Sequence, residues 1–417
     1  MKNFNPIRGT NDYMPRDAKV RELIRGKILS SYQSNGYNLI QTPILESLDF
    51  LDNSDGGDNL KLIFRTIKRG DKLDLTKPNL TVSDIVEEGL RYDLTVPLAR
   101  FYANNREKLP TPFKAIQIGY SFRAERPQRG RDRQFIQCDI DVFGDKSIMA
   151  ELELMKTTID TYNSIGFDSL TVKINDRRIL NAIVLNAGFA LEQVNTVCVS
   201  LDKIDKISLN GVMMELIEKG FDIAKINTLI DALNDVVENG IDATLKYGAP
   251  QEIVDNVNYL ISSLKAMVKS GVKIVFDISV VRGQGYYTGT VFEYYTDGFS
   301  GAIGGGGRYD TMIGKITGQD VPAVGGSIGF EPVTMLIKER GLTFDMKQNL
   351  ALVYDQDDNI VDVFKAKSEL TKEYNVSLFM RPKNMKNFYE KVVEVADAIT
   401  SYKDLKQGNP VKILNKN

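Results

Sequence analysis

A charged segment of the sequence is suited to a ligand that carries both phosphate and amino groups. Between Arg123 and Arg133 there are five arginines and two acidic residues, a local charge of 5 − 2 = +3. A guanidinium group can donate two parallel hydrogen bonds to phosphate oxygens. Strand-like residues lie on both sides, so we predict a charged loop between two antiparallel strands. The alternative is a solvated hairpin tip that binds nothing.

Acidic residues accompany this loop at two places. Gln137, Asp139 and Asp141 alternate along the strand that follows it, so their side chains share one face. Asp93 and Thr95 are two residues apart, and on a strand both side chains would point the same way and could hold an ammonium group. The alternative for Asp93 is a cap on the helix that follows it.

Three further segments combine glycines with polar residues. Residues 280–293 contain an arginine and paired tyrosines, and taken alone they predict a bulged hairpin. Residues 304–310 begin with four glycines, which allow close approach of the backbone to a ligand. They are not a Walker A loop, because no Gly-Lys-Ser/Thr follows. Residues 322–333 predict a strand of small residues and then a helix with Pro332 in its first turn.

Composition excludes several classes of protein. The chain of 417 residues contains no histidine, which excludes serine–histidine hydrolases and HExxH metalloproteases. Its two cysteines, Cys138 and Cys198, form neither a disulfide framework nor a zinc-ligand set and favour a reducing compartment. The net charge of 53 − 55 = −2 excludes a globally basic nucleic-acid binder. No apolar run reaches membrane-spanning length and no signal peptide is recognisable, so we predict a cytoplasmic protein.

The elements that must position these residues predict an α+β fold. Strand candidates separated mostly by turns or short loops favour an antiparallel sheet flanked by helices; they are 114–122, 135–143, 170–174, 273–281 and 289–294. A further strand pattern at 37–45 contains Pro43, which indicates an edge or an interface. Amphipathic helices at about 180–269 predict a helical insertion. A β-α-β-α pattern from residue 347 onward, with helices at 360–374 and 387–399, predicts a small α/β C-terminal domain.

These five segments, in this order and together with residues 7–15, resemble the class II aminoacyl-tRNA synthetases, and specifically the histidyl-tRNA synthetases. The resemblance implies a class II catalytic core at 1–342, which includes the helical insertion, and a shortened anticodon-binding-like domain at 347–417. It places the strand around Pro43 at a homodimer interface. It also implies an ATP-dependent enzyme that activates histidine to histidyl-adenylate and transfers it to tRNA(His).

The resemblance assigns roles to individual residues. The catalytic residues would be Arg123 and Arg282, which the family places beside the α-phosphate of ATP. Further contacts to ATP would come from Glu125 at the adenine end and Arg131 at the far phosphates. The acceptor end of tRNA would meet Arg126 and Gln128. The histidine-binding residues would be Asp93, Thr95 and Gln137 at the α-amino and carboxylate groups, and Asp141, Tyr287 and Tyr309 at the imidazole.

The implied chemistry suits a chain without histidine. The carboxylate of the amino acid is already ionised at pH 7 and attacks the α-phosphorus, so no protein base is needed. Arginines and the Mg²⁺ that accompanies ATP stabilise the charge that builds on the phosphoryl oxygens. No metal site of the protein's own and no membrane partner are implied.

Two positions depart from the family pattern. Pro332 follows Glu331 where the family has an arginine that contacts the γ-phosphate of ATP, and Gln284–Gly285 stands where the family usually has Leu-Asp. Two interpretations therefore stay open, an active histidine–tRNA ligase and a catalytically impaired relative that binds histidine and regulates a partner enzyme. Arg282 and the C-terminal domain, which such regulatory relatives lack, favour the enzyme, whereas Pro332 favours the regulator.

Overall fold

Two compact units make up the computed structural model, which describes residues 4–53, 57–282, 286–344 and 346–414. The first unit contains the residues up to Thr10 and Ile24–Arg340, and the second contains Asn11–Leu23 and the residues from Gly341 onward. Their assignment as a catalytic core and an anticodon-binding-like domain stays a prediction.

The elements from α1 to α12 build the first unit, except that the first residues of α1 belong to the second unit. In chain order they are α1 Pro15–Ser34, β1 Asn38–Leu39, β2 Leu45–Ser47, α2 Leu48–Asp52, β3 Arg65–Ile67, α3 Val82–Ile85, β4 Val86–Leu90, α4 Thr95–Asn105, β5 Phe113–Phe122, β6 Gln134–Phe143, α5 Ile148–Ser164, β7 Leu170–Asp176, α6 Arg177–Asn186, α7 Leu191–Leu201, α8 Ile204–Glu218, α9 Ile223–Asn239, α10 Gln251–Met267, β8 Val272–Phe276, β9 Thr290–Tyr295, β10 Gly304–Arg308, α11 Met312–Thr317, β11 Ala323–Gly329 and α12 Phe330–Glu339. Short 3-10 helices lie at Gly57–Leu62, Gly70–Lys72, Arg106–Lys108 and Ile241–Tyr247.

An eight-stranded sheet forms the centre of this unit, in the order β1-β5-β6-β11-β10-β9-β7-β8. Its neighbours pair antiparallel except β1 with β5 and β7 with β8, which confirms the predicted antiparallel sheet with helices. The strand predicted for 273–281 is too long. It ends at Phe276 because Asp277 turns the chain, accepting a hydrogen bond from the Ser279 N–H at 2.9 Å. The segment around Pro43 separates β1, at the sheet edge, from β2 in a small sheet of order β2-β4-β3.

The helical insertion lies between two strands that are neighbours in the sheet. The parallel register of β7 and β8 runs from Leu170↔Val272 to Ile174↔Phe276, and helices α6 to α10 lie between them in the chain. This confirms the predicted insertion. Among the described residues no single helix is long and apolar enough to cross a membrane. Helices α6 and α7 reach the required length and hydropathy only when taken together, and the pair is bent by 115°.

A buried ion pair fixes the glycine-rich strand β10 to helix α5. Arg308 donates from Nε and Nη2 to Glu151 at 2.6 and 2.5 Å, and the two side chains are only 7% and 4% exposed. Arg308 also donates to Asp310 and to the carbonyl of Asp145, each at 3.1 Å. Because a glycine strand has few side chains with which to pack, this pair holds it in place.

We expect Glu151→Ala to lower the free energy of unfolding by about 3–5 kcal/mol, because it leaves the buried Arg308 guanidinium without its main counter-charge. Urea unfolding followed by circular dichroism measures the change. The control is Lys156→Ala, which breaks a half-exposed Lys156–Asp160 pair on the same helix and should cost about 0.5 kcal/mol or less. A loss below about 1 kcal/mol for Glu151→Ala would contradict the expectation.

The second unit is a small α/β fold, as predicted. Its elements after α1 are β12 Asn349–Tyr354, α13 Ile360–Leu370, β13 Asn375–Met380, α14 Met385–Val392, β14 Ala398–Ser401, α15 Tyr402–Lys406 and β15 Lys412–Ile413. The sheet order is β13-β12-β14-β15, with the first three strands parallel and β15 antiparallel. The helix predicted for 387–399 is wrong beyond Val392. Ala398 and Ile399 are buried in a strand because they pair with Leu350 and Ala351 of β12.

Candidate active site

A cavity of about 500 Å³ lies in the first unit and gathers most of the residues singled out in the sequence. Its walls come from the segment between β4 and α4, the β5–β6 hairpin, the end of α7 with the segment before α8, the segment before β9, strands β9, β10 and β11, and the start of α12. The predicted site residues that line it are Asp93, Thr95, Glu125, Arg123, Arg131, Gln137, Arg282, Tyr287 and Tyr309. Arg126 and Gln128 do not line it and are exposed at the hairpin tip, and Asp141 contacts the wall residue Tyr309.

The arginine-rich segment is a loop between two antiparallel strands. Strands β5 and β6 pair from Phe113↔Phe143 to Phe122↔Gln134. At the tip, Gln128 and Arg131 exchange backbone hydrogen bonds of 3.0 and 2.9 Å. Nearer the strands, Arg123 donates from Nε to the carbonyl of Tyr92 at 3.0 Å. This hydrogen bond holds the Arg123 guanidinium at the base of the hairpin, where the side chain lines the cavity.

The hairpin tip packs against the first turn of α12. A Cβ on Gly130 would lie 3.3 Å from Cβ of Pro332 and 3.2 Å from the ring of Phe299. Arg129 pairs with Glu339, near the end of the same helix, at 2.6 Å. Pro332 therefore stands in the cavity wall beside the charged loop, at the position where the family resemblance expects an arginine.

Asp93 lies before helix α4, so the expectation that Asp93 and Thr95 share a strand face is wrong. Asp93 Oδ1 instead accepts a hydrogen bond from the Val96 N–H at 3.1 Å, as the capping alternative predicted. Capping engages one oxygen only, and among the described residues Oδ2 has no hydrogen-bond partner. Both Asp93 and Thr95 line the cavity, so the helix start brings them together without a strand.

The polar face of β6 lies as the alternation predicted. Asp139 and Asp141 are 3% and 2% exposed, and Tyr309 donates from its hydroxyl to Asp141 at 2.5 Å. Strand β11 runs alongside, and a Cβ on Gly325 would overlap the Asp141 carboxylate. Only a residue without a side chain therefore leaves space for this acid between the two strands.

Burial raises the pKa of three aspartates at the cavity, Asp93, Asp139 and Asp141, above the usual range. The pKa of Asp93 rises to about 6, mainly through burial, with partial compensation from the Val96 N–H and from Arg123. The pKa of Asp139 rises to about 7, because burial and the charge of Asp93 outweigh the Ser327 hydroxyl and Arg123. Burial and the charge of Asp139 raise the pKa of Asp141 well above its ordinary value. Negative charge here is costly unless a cation enters.

Arg282 enters the cavity from a strained backbone position. Its φ of +60° is in the left-handed region that side chains rarely adopt. Its Nη1 donates to Glu293 at 2.9 Å, and its guanidinium carbon lies 5.9 Å from the centre of the Tyr287 ring. A Cβ on Gly305 would lie 2.7 Å from Nη1, so the glycine run of β10 makes room for this side chain. Burial lowers the pKa of Arg282, but Tyr287 and Glu293 outweigh it and raise the pKa overall.

The glycine-rich runs are therefore strands that admit buried side chains between them. The bulged hairpin predicted for 280–293, and the departure at Gln284–Gly285, fall partly or wholly on residues 283–285, which lie outside the described residues.

Sequence reasoning gave no role to several side chains that line the cavity, namely Asp139, Tyr286, Glu293, Ser327 and Glu331. Alternation along β6 placed Asp139 on the same face as Gln137 and Asp141, but no specific role was assigned to it. Glu293 and Glu331 carried no such signal: one pairs with Arg282 and the other accepts from the Ile136 N–H at 3.1 Å. Across the described part of the chain, no group of three or more Cys, Asp or Glu side chains could hold a metal ion.

Comparison with known proteins identifies a family. Residues 9–333 match the family described as Histidyl-tRNA synthetase. A histidine–tRNA ligase from Leifsonia xyli subsp. xyli is 40% identical over 396 residues, covering 92% of this chain and 91% of that protein. A probable histidine–tRNA ligase from Tropheryma whipplei (strain Twist) is 39% identical over 373 residues, covering 85% of each chain.

Solved structures show the same fold. A histidyl-tRNA synthetase from Nostoc sp. PCC 7120 superimposes with a TM-score of 0.74 at 21% identity, covering 99% of this chain and 96% of that one. A protein titled ATP phosphoribosyltransferase regulatory subunit/histidyl-tRNA synthetase, from Bacillus halodurans C, also gives 0.74 at 17% identity, covering 95% and 97%. At these identities the likeness concerns the fold alone.

Proposed function

This chain belongs to the histidyl-tRNA synthetase family and is a histidine–tRNA ligase, and from that premise we propose that the cavity of the first unit is where histidine reacts with ATP. The observation that carries the proposal is the convergence of nine predicted site residues on one cavity. Acids and tyrosines lie together with arginines there, as a zwitterionic amino acid and a nucleotide require.

Histidine lies with its α-ammonium group at the free oxygen of Asp93, next to Thr95 and Gln137. Its imidazole ring faces Tyr287 and the Tyr309–Asp141 pair. A buried carboxylate that lacks one partner favours a ring with an N–H donor and penalises amino acids that have none. The pocket selects histidine by this requirement.

ATP binds along the arginine side of the cavity. Arg123 and Arg282 hold the α-phosphate, Glu125 contacts the adenine end and Arg131 contacts the far phosphates. The histidine carboxylate attacks the α-phosphorus, a P–O bond forms, and the bond to pyrophosphate breaks. Positive charge fixed before the reaction stabilises the developing charge on the phosphoryl oxygens, and this is the part of catalysis that the protein supplies. Mg²⁺ enters with ATP as part of the substrate.

The second step transfers the histidyl group from the adenylate to tRNA(His). Arg126 and Gln128 suit contact with the acceptor end, because both are exposed at the hairpin tip. The protein acts in the cytoplasm as a homodimer that pairs through the segment around Pro43. A two-fold pairing of identical surfaces is the usual form of such a dimer.

Histidine-dependent exchange of pyrophosphate into ATP tests the first step, and charging of a tRNA(His) transcript tests the second. We expect both activities, with exchange that needs histidine and is not supported by other amino acids. No exchange at high enzyme concentration would overturn the proposal and favour the alternative, a histidine-binding regulator of a partner enzyme. Pro332 is the observation that supports this alternative.

We expect Pro332→Arg to lower the KM for ATP by about tenfold, because it adds a cation to the cavity wall where the family contacts the γ-phosphate. The KM for histidine should not change. The matched control is Pro332→Ala, which removes the ring without adding charge and should leave the KM for ATP near its original value. Equal values of this KM in both variants and the original protein would contradict the expectation.

A further inference from the structure

Asp139 is a buried acid at the cavity that the proposed chemistry does not use. It lies on β6 between Gln137 and Asp141, each roughly 7 Å away along the same face. Its side chain is 3% exposed and lines the cavity. Oδ2 receives a long hydrogen bond of 3.4 Å from Gln137, and among the described residues Oδ1 has no partner. A buried acid with so few donors is costly unless a ligand completes it.

The neighbouring strands supply only part of what Asp139 needs. Ser327 lies directly opposite on β11, and a hydrogen bond from its hydroxyl lowers the pKa of Asp139, but Oδ1 keeps no partner among the described residues. Gln117 faces Asp139 on β5, but its amide already donates to the Leu94 carbonyl and accepts from Thr42, both at 2.8 Å. Arg91 is a buried cation near Asp139, but its guanidinium donates to the Tyr120 and Pro43 carbonyls and to Thr42. Arg91 therefore influences Asp139 by charge without satisfying it.

The influence of the Asp93 charge on Asp139 indicates that Asp139 lies near the proposed position of the histidine α-ammonium group. The charges of Asp93, Arg123 and Arg91 act on Asp139, and the charge of Asp139 in turn raises the pKa of Asp141. Tyr309 engages one oxygen of Asp141 on the ring side. Asp93, Asp139 and Asp141 each have one oxygen without a hydrogen-bond partner among the described residues, and of the three only Asp93 and Asp139 line the cavity. A primary ammonium group has three donors and one positive charge, and it suits this pair.

We propose that Asp139 is a further histidine-binding residue that shares the α-ammonium group with Asp93. This inference deepens the proposed function and depends on it. In the empty protein the two acids repel one another in a buried site. Entry of the ammonium group supplies both the counter-charge and the donors that the strands lack.

Isothermal titration of the full-length protein and Asp139→Asn tests the proposal with two probes. L-histidinol keeps the ammonium group and lacks the carboxylate, whereas imidazolepropionate keeps the carboxylate and lacks the ammonium group. We expect Asp139→Asn to weaken binding of histidine and histidinol by about 10- to 100-fold. The inhibition constant of imidazolepropionate, measured by competition in the exchange assay, should change less than twofold. Asp160→Asn, half-exposed on α5, is the control and should alter none of these values.

Stability separates ligand binding from a structural role. Because burial raises the pKa of Asp139 to about 7, its ionisation costs stability progressively between its unfolded pKa near 4 and pH 7, and fully above pH 7. Asp139→Asn should therefore melt at a higher temperature than the original protein at pH 8, and the difference should shrink as the pH falls to 5. If Asp139 merely balances Arg91, the variant will melt lower at pH 8.

The outcomes are distinct. Unchanged affinity for histidine and histidinol, or equal losses for all probes, would overturn the role of Asp139. If Asp139→Asn does not fold, Asp139→Ala gives the same comparison of probes. If the original protein neither binds histidine nor exchanges pyrophosphate, the proposed function fails and the inference fails with it. The inference alone fails under a different result. In that case the original protein binds histidine and exchanges pyrophosphate, but Asp139→Asn weakens histidine, histidinol and imidazolepropionate equally or weakens none of them.

Discussion

Arg282→Ala is expected to reduce the rate of histidyl-adenylate formation by about 10²- to 10³-fold while changing histidine affinity little. The guanidinium group is held in the cavity by Glu293 and stands beside Tyr287. Its charge is fixed there before reaction, and a fixed donor of this kind acts mainly on charge that develops in the transition state. Loss of such an interaction lowers kcat more than it raises the KM for histidine.

Single-turnover measurement of adenylate formation separates the chemical step from product release. Arg282→Lys keeps the positive charge but loses the planar guanidinium. Its rate of adenylate formation should lie between those of Arg282→Ala and the original protein. Arg65→Ala is the matched control, because Arg65 pairs with Asp52 outside the cavity lining and its loss should leave the rate unchanged. A rate for Arg282→Ala within threefold of the original would refute its catalytic role.

The second large effect is expected at Asp141. Replacing it with Ala should lower kcat/KM for histidine by about 10²- to 10³-fold, because the ring N–H loses a charged acceptor and the buried Tyr309 hydroxyl loses its partner. Exchange of pyrophosphate over a range of histidine concentrations gives this value. The loss should be mainly in the KM for histidine, since the ring is held equally in the ground state and the transition state.

Tyr309→Phe provides the comparison for Asp141→Ala. It removes one hydrogen bond to the carboxylate and leaves the charge, so we expect about a tenfold loss. Thermal melting of both variants checks that the fold persists. A KM for histidine that stays within threefold in Asp141→Ala would show that the ring is recognised elsewhere.

Alternation and strand patterns in the sequence correctly predicted those elements whose conformation is set by residues close together in the chain. Alternation along β6 gave the shared face of Gln137, Asp139 and Asp141, and strand patterns on either side of the arginine-rich segment gave the hairpin. Asp93 shows the limit of this reasoning. Spacing of two residues was interpreted as a strand, but the capping hydrogen bond to Val96 decides the conformation, and the residue reaches the cavity by a different route.

Other features depended on contacts between residues far apart in the chain. Glu293 on β9 pairs with Arg282 in the segment before that strand, and the Glu151–Arg308 bond joins a helix to a strand 157 positions later. No local pattern carries such information. Likewise Ala398 and Ile399 continue a helical pattern in the sequence, yet pairing with β12 makes them a strand. The family resemblance supplied what periodicity did not, namely which of many charged residues meet at one place.

The position of the helical insertion has a consequence for how the enzyme can diversify. Because the chain leaves on β7 and returns on the adjacent β8, substitutions or length changes in α6 to α10 can alter the insertion while the strands keep their register. The entropic cost of a longer excursion grows only slowly with its length. Yet Val199 and Lys203, from this insertion, line the cavity. One wall of the cavity can therefore change in sequence while the sheet keeps its arrangement.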